Sequence, residues 1–330
     1  MRTGVVLLSN ERTAAMAVCI GFRRAALRAE DHHVIASVEC ICADGTVGRG
    51  SYLHQIRAAA ESPFPGKPAS CLKLNQINFG GVLPDGTSRL SQDGRTLSMF
   101  FGQSSFAEYA VVAAQSAVKV PYDDIDLAVV APMGCGIQTG AGTVLNALKP
   151  ELGSSIAIFG CGTVGMSAIM AARIAGCAHN HRRGRQGSHP CAGEGAWRDP
   201  HHQSQDLPGH RRGDQEDHRR RRELCHRHQR QCELCAHCLA PLGVEAVVGI
   251  IPPMEIDMFG ELMAEGKTIS GVIEGAAQPK VFIPQMIEYY RQGRFPVDRI
   301  MRFYDFEDIN QACEDSTSGK CIKTVVRMKK

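Results

Sequence analysis

The chain has 330 residues, 44% of them hydrophobic, which is enough to build two domains with separate cores. A formal net charge of +3 is too small to single out a nucleic acid or a membrane as partner, and there is no run of 18 apolar residues. The start, MRTGVVLLSNERTAAM, has too short an apolar core for a secretory signal, so fourteen cysteines imply a reducing cytoplasm where thiols serve as ligands or small core residues.

The first 70 residues carry few signals. Residues 5–8 and 34–38 are predicted strands, and the Arg/Ala/Glu-rich stretch 23–31 is a predicted helix with no apolar face to anchor it. Cys40, Cys42 and Cys71 are candidate zinc ligands. CxC with one distant partner is a poor version of the CxxC spacing that brings two sulfurs to one tetrahedral ion, and free core or loop thiols are the alternative.

From Cys71 the text becomes orderly. Asp85-Gly86 and Asp93-Gly94 are turn dipeptides between short segments of a β-rich unit, and residues 106–112 and 117–120 read as strands closed by Pro121. Residues 131–142, APMGCGIQTGAG, begin a long helix of small residues that carries Cys135, a thiol with either a core or a catalytic role.

The stretch 156–176, IAIFGCGTVGMSAIMAARIAG, reads as buried strand, tight turn and helix, closed at Gly176. Gly160 makes the bend, Gly162 leaves room for a pyrophosphate, and Gly165 lets the helix lie close on the strand. The amides around Thr163 and Val164 open the helix and face an anion. The alternative is a glycine turn that serves only to pack helix against strand.

Residues 179–242 contain no Ile, Val, Phe, Tyr, Met, Thr or Lys, but hold 12 Arg, 10 His and five Cys. Strands buried in a parallel sheet need β-branched and apolar runs, and this segment has none. Cys232, Cys235 and Cys238, with His226, His228 and His237, have zinc-ligand spacing, and the arginines at 219–222 could meet phosphates. A solvated, disordered insert is the alternative, and nucleic-acid binding is not expected. After it, residues 244–250 and 267–273 read as strands. Pro284 opens a helix that puts Met286, Ile287 and Tyr290 on one face and ends at Gly293, and residues 322–326 form a last strand.

The order MGCGIQTGAG followed by IAIFGCGTVGMSAIMAARIAGC resembles the zinc-dependent medium-chain alcohol dehydrogenases. Within them the chain is similar to the aryl-alcohol (benzyl-alcohol) branch, through ASCLKLNQINFGGVLPDGTSRLS, FFGQSSFAEYAVV, VVGIIPP and VFIPQMIEYYRQGRFPVDRIMRFYDFEDINQA. The likeness spans roughly residues 68–177 and 243–328.

The resemblance implies an α/β fold, with an interrupted Rossmann-type doubly wound parallel sheet and a GroES-like β-rich catalytic domain. It implies a catalytic domain over residues 1–134 with an aberrant first 70, a cofactor domain over 135–275, and a return to the catalytic domain over 276–330. Cys135 stands where the family places a ligand of its catalytic zinc, Thr139 where a hydroxyl meets the nicotinamide, and Lys323 at a basic position near the pyrophosphate of NAD. Small alcohols and aldehydes are the implied substrates, and a cytoplasmic dimer or tetramer the implied assembly.

Departures accompany the match. The family's Cys-His and Gly-His-Glu segments, which supply its other zinc ligands, do not occur, and Cys19, His32 and His33 lie in a stretch of different text. The ribose-binding carboxylate expected about twenty residues past the glycine turn is replaced by Arg182 and Arg183. Ordered text stops at Cys177 and resumes at Leu242 with the length nearly kept, which suggests a reading-frame slip. Oxidation of benzyl-type alcohols is therefore expected to be impaired.

Overall fold

The computed structural model describes residues 3–7, 18–20, 22–26, 36–41, 47–52, 67–83, 85–88, 90–98, 117–183, 241–249 and 256–327, with the strands before residue 67, Ala117, residues 179–183 and Glu261 described by their backbone alone. Its strands are β1 (Thr3–Leu7), β2 (Val18–Ile20), β3 (Phe22–Ala26), β4 (Ala36–Ile41), β5 (Val47–Tyr52), β6 (Ser91–Gln92), β7 (Arg95–Thr96) and β8 (Ala117–Lys119). They continue with β9 (Ser155–Phe159), β10 (His179–Arg183), β11 (Val244–Val247), β12 (Thr268–Gly271), β13 (Met301–Asp305) and β14 (Lys323–Arg327). The helices are α1 (Leu74–Phe79), α2 (Leu127–Val130), α3 (Gly136–Gly142), α4 (Thr163–Ile174), α5 (Pro279–Arg291) and α6 (Ile309–Thr317).

A parallel sheet runs in the order β10-β9-β1-β11-β12. β9 is the predicted strand before the glycine turn. Ile156 and Ile158 are buried, whereas Ala157 and Phe159 on the other face are half-buried, short of the two-sided burial expected from the sequence. Met166, Ile169 and Met170 of α4 pack in the same core cluster as the two isoleucines, and each fully buried side chain of this size contributes about 1.5–3 kcal/mol.

Two features of this sheet depart from the sequence reading. β1, taken from the stretch assigned to the β-rich domain, lies between β9 and β11 and pairs with both, Gly4 opposite Ile156 on one side and Val244 on the other. Its run Gly4-Val5-Val6-Leu7 has the β-branched, apolar character that a central parallel strand needs. Second, β10 comes from the segment judged unable to supply strands: His179–Arg183 pairs residue for residue with Ser155–Phe159. Among the described residues it is the end strand of the sheet and forms one backbone ladder, which main-chain groups make whatever side chains they carry.

Strands β3, β4, β5 and β8 form a second, mixed sheet, and β2 joins β13 and β14 in a third. The stretch 23–31, predicted as helix, begins instead in β3, with Phe22 opposite Val38 and Ala26 opposite Ile41. Helical propensity there is a weak preference without an apolar stripe, and strand pairing overrides it. Asp93 and Gly94, both at positive φ, turn the β6-β7 hairpin as the Asp-Gly pair predicts. The predicted strand 106–112, Cys42, His32, His33 and the Cys/His/Arg-rich insert 184–240 lie outside the described residues.

The helix at the C-terminal side starts earlier than predicted. Pro279 occupies its first turn, where proline's missing N–H has no helical partner, and Pro284, the predicted start, lies inside it. Met286 and Ile287 are fully buried as expected, Tyr290 is half-buried, and Gly293 at φ +70° follows the helix end. Among the described residues no single helix is long and apolar enough to cross a membrane.

Candidate functional site

The predicted long helix is broken where its chemistry sits. Leu127–Gly134 and Gly136–Leu148 meet at a 65° bend, and Cys135 occupies the joint with φ −136° and ψ −106°. Its carbonyl accepts the first hydrogen bond of α3, from the amide of Thr139 at 2.9 Å. Helix α3 then lies directly on the start of α4. Gly140 makes this possible, since a Cβ there would overlap the carbonyl oxygen of Val164 and come 3.0 Å from the amide of Ala168. Gly136 likewise faces Thr163, whose methyl group would be 3.3 Å from an added Cβ. Gly136 and Gly140, on either side of Thr139, are thereby seated against Thr163 and Val164 at the start of α4.

The turn has the predicted geometry. Gly160 adopts φ +96°, a conformation that a side chain would strain. Gly162 precedes α4 in an extended conformation, and a Cβ placed on it meets nothing within 4 Å. The first helical bond runs from Met166 N to Gly162 O, so the amides of Thr163, Val164 and Gly165 precede the helical ladder, as the first amides of any helix do. The open space over Gly162 and the helix start behind it fit the pyrophosphate of a dinucleotide. Gly165 is buried, and Gly176 at φ +77° ends the helix as expected.

On the far side of α3, residues 274–276 make a left-handed turn in which Glu274 (φ +50°), Gly275 (φ +65°) and Ala276 (φ +50°) follow one another. The turn is pressed on α3, because a Cβ on Gly142 would come 2.5 Å from the Gly275 carbonyl oxygen. Asn146 Nδ2 donates to that carbonyl at 3.3 Å. One carboxylate oxygen of Glu274 accepts from Gln138 Nε2 at 2.7 Å and from the Thr139 hydroxyl at 3.5 Å. Gln138 Nε2 also donates to Gly134 O at 2.9 Å. Sequence reading missed both Glu274 and Gln138. A lone acid before a glycine in the apolar text GVIEGAA was the signal that could have exposed the first.

Electrostatics at the site follow burial. The Cys135 thiol is pushed up to about 12, by burial first and by the Glu274 carboxylate second, with Lys323 opposing. Glu274 is raised to about 7 by burial, which the hydrogen bonds from Gln138 and Thr139 partly offset. Burial lowers Lys323, and Cys135 and Cys321 pull it back. Lys323 begins β14, and the hydroxyl of Thr163 donates to the neighbouring Ile322 carbonyl at 3.1 Å, so the basic residue is tied to the cofactor turn.

The candidate metal ligands do not come together in this way. Cys71 is buried behind the short 3-10 turn Pro68–Ser70, Cys40 lies in β4, and Cys42 is outside the described residues. Among the described residues no three His, Cys, Asp or Glu side chains form a group able to hold a metal ion. The Cys135 thiol, raised by burial and by Glu274, becomes a thiolate when a zinc ion displaces its proton. Cys135 thus belongs to no group of three such side chains among the described residues, whereas the dinucleotide turn is intact.

No family model matches the chain. Comparison with individual proteins is specific. The chain is 35% identical over 273 residues to geraniol dehydrogenase of Castellaniella defragrans, covering 79% of this chain and 72% of that protein. It is 31% identical over 274 residues to the class-3 alcohol dehydrogenase of Myxine glutinosa, with 78% and 70% covered. Among solved structures, an alcohol dehydrogenase zinc-binding domain protein from Burkholderia ambifaria superposes with a TM-score of 0.67 at 31% identity, over 86% of this chain and 78% of that one. Benzyl alcohol dehydrogenase from Acinetobacter calcoaceticus gives a TM-score of 0.62 at 27% identity, over 89% and 82%. With this fold, this cofactor turn and these relatives, the chain belongs to the zinc-dependent medium-chain alcohol dehydrogenases, an NAD-dependent oxidoreductase family.

Proposed function

We propose that this chain descends from NAD-dependent dehydrogenases of primary aryl alcohols, and that it keeps the dinucleotide site while its oxidation of benzyl-type alcohols is impaired. The observation that carries the reading is the seating of α3 on the glycine turn, through Gly140 under the Val164 carbonyl, which sets Cys135 and Thr139 beside the place for the cofactor. Benzyl alcohol and geraniol, named for two of its relatives, are both primary alcohols whose carbinol carbon adjoins an sp² carbon. That shared chemistry supports the aryl-alcohol reading.

NAD, when bound, supplies the hydride acceptor. The residues of the chain act around it. Gly162 leaves the phosphates their space, the amides at Thr163 and Val164 face their charge, and Lys323 adds a cation beside the same turn. Thr139 offers its hydroxyl at the nicotinamide end. Cys135, with its thiol held neutral, is the one metal-ligand position of the family that this site retains. In this reading residues 1–134, apart from β1, and 276–330 form the catalytic unit, and 135–275 together with β1 the cofactor unit, in a cytoplasmic homo-oligomer that engages neither membrane nor nucleic acid.

Two measurements on the purified full-length chain test the proposal. Calorimetry with NAD is expected to give a binding heat. Benzyl alcohol and NAD with added zinc are expected to yield negligible NADH, because an alcohol without an activating metal lacks several kcal/mol of alkoxide stabilisation. A sustained, zinc-dependent rise of NADH would overturn the impairment, and absence of any NAD heat would overturn the cofactor site. Replacing residues 1–67 and 178–243 together by family-like segments is expected to restore turnover, whereas replacing 178–243 alone is expected to improve folding only.

A further inference from the structure

We infer that Glu274 is a positioning residue of this site: its carboxylate, delivered by a left-handed turn, fixes Gln138 and Thr139 and so sets the hydroxyl that meets the nicotinamide end of the cofactor. The inference rests on the cofactor reading proposed above and adds to it a residue of its own.

The turn is unusual in a way that packing alone does not require. A buried corner pressed on a glycine of α3 is most easily made by glycines, and Gly275 is one: a Cβ on it would overlap the Gln138 carbonyl oxygen and the Cα of Gly142. Its neighbours Glu274 and Ala276 nevertheless hold side chains at φ +50°, a region that L-residues rarely adopt. Strained, sparsely populated conformations persist where the surrounding structure enforces them, and they gather at functional sites. Here the strained residue carries the carboxylate that points at α3.

Its contacts converge on one oxygen. Glu274 Oε2 takes Gln138 Nε2 at 2.7 Å and Thr139 Oγ1 at 3.5 Å, and Gln138 uses its other amide hydrogen on Gly134 O at 2.9 Å. The residue before α3, Cys135, lies between Gly134 and these two acceptor-bound side chains in sequence, so the carboxylate braces both sides of the helix break. Gln138 is fully buried, and its amide oxygen has no hydrogen-bond partner among the described residues. The orientation of its amide therefore rests on the two Nε2 bonds. Without the Glu274 acceptor, Gln138 is free to turn its amide and Thr139 to turn its hydroxyl away.

A merely structural residue and a positioning residue differ in what they do to two ligands that share all but one end. NAD and ADP-ribose both carry the pyrophosphate that meets the glycine turn, and only NAD carries the nicotinamide. Calorimetry of the full chain with each ligand is expected to show both binding to the unaltered protein. Glu274→Ala is expected to weaken NAD by about tenfold, the loss of a charge-assisted hydrogen bond, and to leave ADP-ribose unchanged. Thr139→Val is expected to reproduce that selective loss, and the double variant to be no weaker than the stronger single one. Glu274→Gln, which keeps an acceptor oxygen, is expected to recover most of the NAD affinity. Equal weakening of both ligands by Glu274→Ala, or no weakening of either, would overturn the role of Glu274. Failure of the unaltered chain to bind either ligand would overturn the cofactor reading and this inference with it.

Discussion

The hydroxyl of Thr163 donates to the carbonyl of Ile322 at 3.1 Å, joining the first residue of the cofactor helix to the strand that carries Lys323, 160 positions further along the chain. One hydrogen bond thus holds the helix start and the basic residue in a fixed relation, although the helix follows β9 of the parallel sheet and the lysine begins a strand of another.

Removing that bond by Thr163→Val keeps the shape of the side chain and strands the Ile322 carbonyl. The expected cost is about 1 kcal/mol of stability, read as a lowered midpoint in urea unfolding with unchanged slope. NAD should also bind more weakly, because Lys323 loses its tether. A midpoint equal to that of the unaltered chain would show that the bond contributes nothing.

Gly162 separates binding from folding. Its backbone, at φ −75°, suits any residue, and an added Cβ meets no protein atom. Gly162→Val is therefore expected to unfold at the same urea concentration as the parent and to lose its NAD heat, because the side chain occupies the space over the turn. Equal heats in both proteins would remove the phosphate cradle from this position.

Gly140 is the opposite case. A methyl group there would run into the Val164 carbonyl and force α3 off α4. Gly140→Ala is expected to cost about 3 kcal/mol, the upper end for overpacking, despite the better helix propensity of alanine. A thermal melt that moves by less than a few degrees would show that the two helices separate at little cost.

An acid-sensitive point lies away from the site. The buried Asp315 carboxylate accepts from Lys320 at 2.9 Å, Tyr304 at 2.8 Å and Gln311 at 2.8 Å, with Arg302 at 3.4 Å. The Lys320 bond and then the Tyr304 bond hold it down to about 2. A carboxylate depressed on folding stabilises the protein above its ordinary value of about 4, and that stabilisation is lost as pH falls from there toward 2. Asp315→Asn should therefore lower the urea midpoint at about pH 6 and flatten its fall between about pH 4 and pH 2. Parallel pH profiles for the two proteins would show that Asp315 does not titrate in this way.

The legibility of the chain follows from how local each signal is. The turn at Gly160 and Gly162, helix α4 with its end at Gly176, and the Asp93-Gly94 hairpin are written in adjacent residues, and each is where the text places it. The bend at Cys135 was not legible, since Pro132 and two glycines within a run of small residues allow either a straight or a broken helix. Strand β10 was misjudged because apolarity was demanded of a strand whose pairing with β9 rests on main-chain groups. Glu274 was missed because its importance arises from a turn pressed on residues 138 and 142, a proximity that no spacing along the chain encodes.

The position of β1 has a consequence for how the molecule comes into being. Gly4 is made long before its two partners, Ile156 and Val244. The middle of the parallel sheet must therefore be kept unpaired until most of the chain has been synthesised, and β9 and β11 each offer an open ladder until it docks. Contacts this distant in sequence slow folding and leave strand edges exposed to other chains in the interval. Yield from cells should accordingly depend on synthesis temperature and on chaperones more steeply than the stability of the finished fold would suggest.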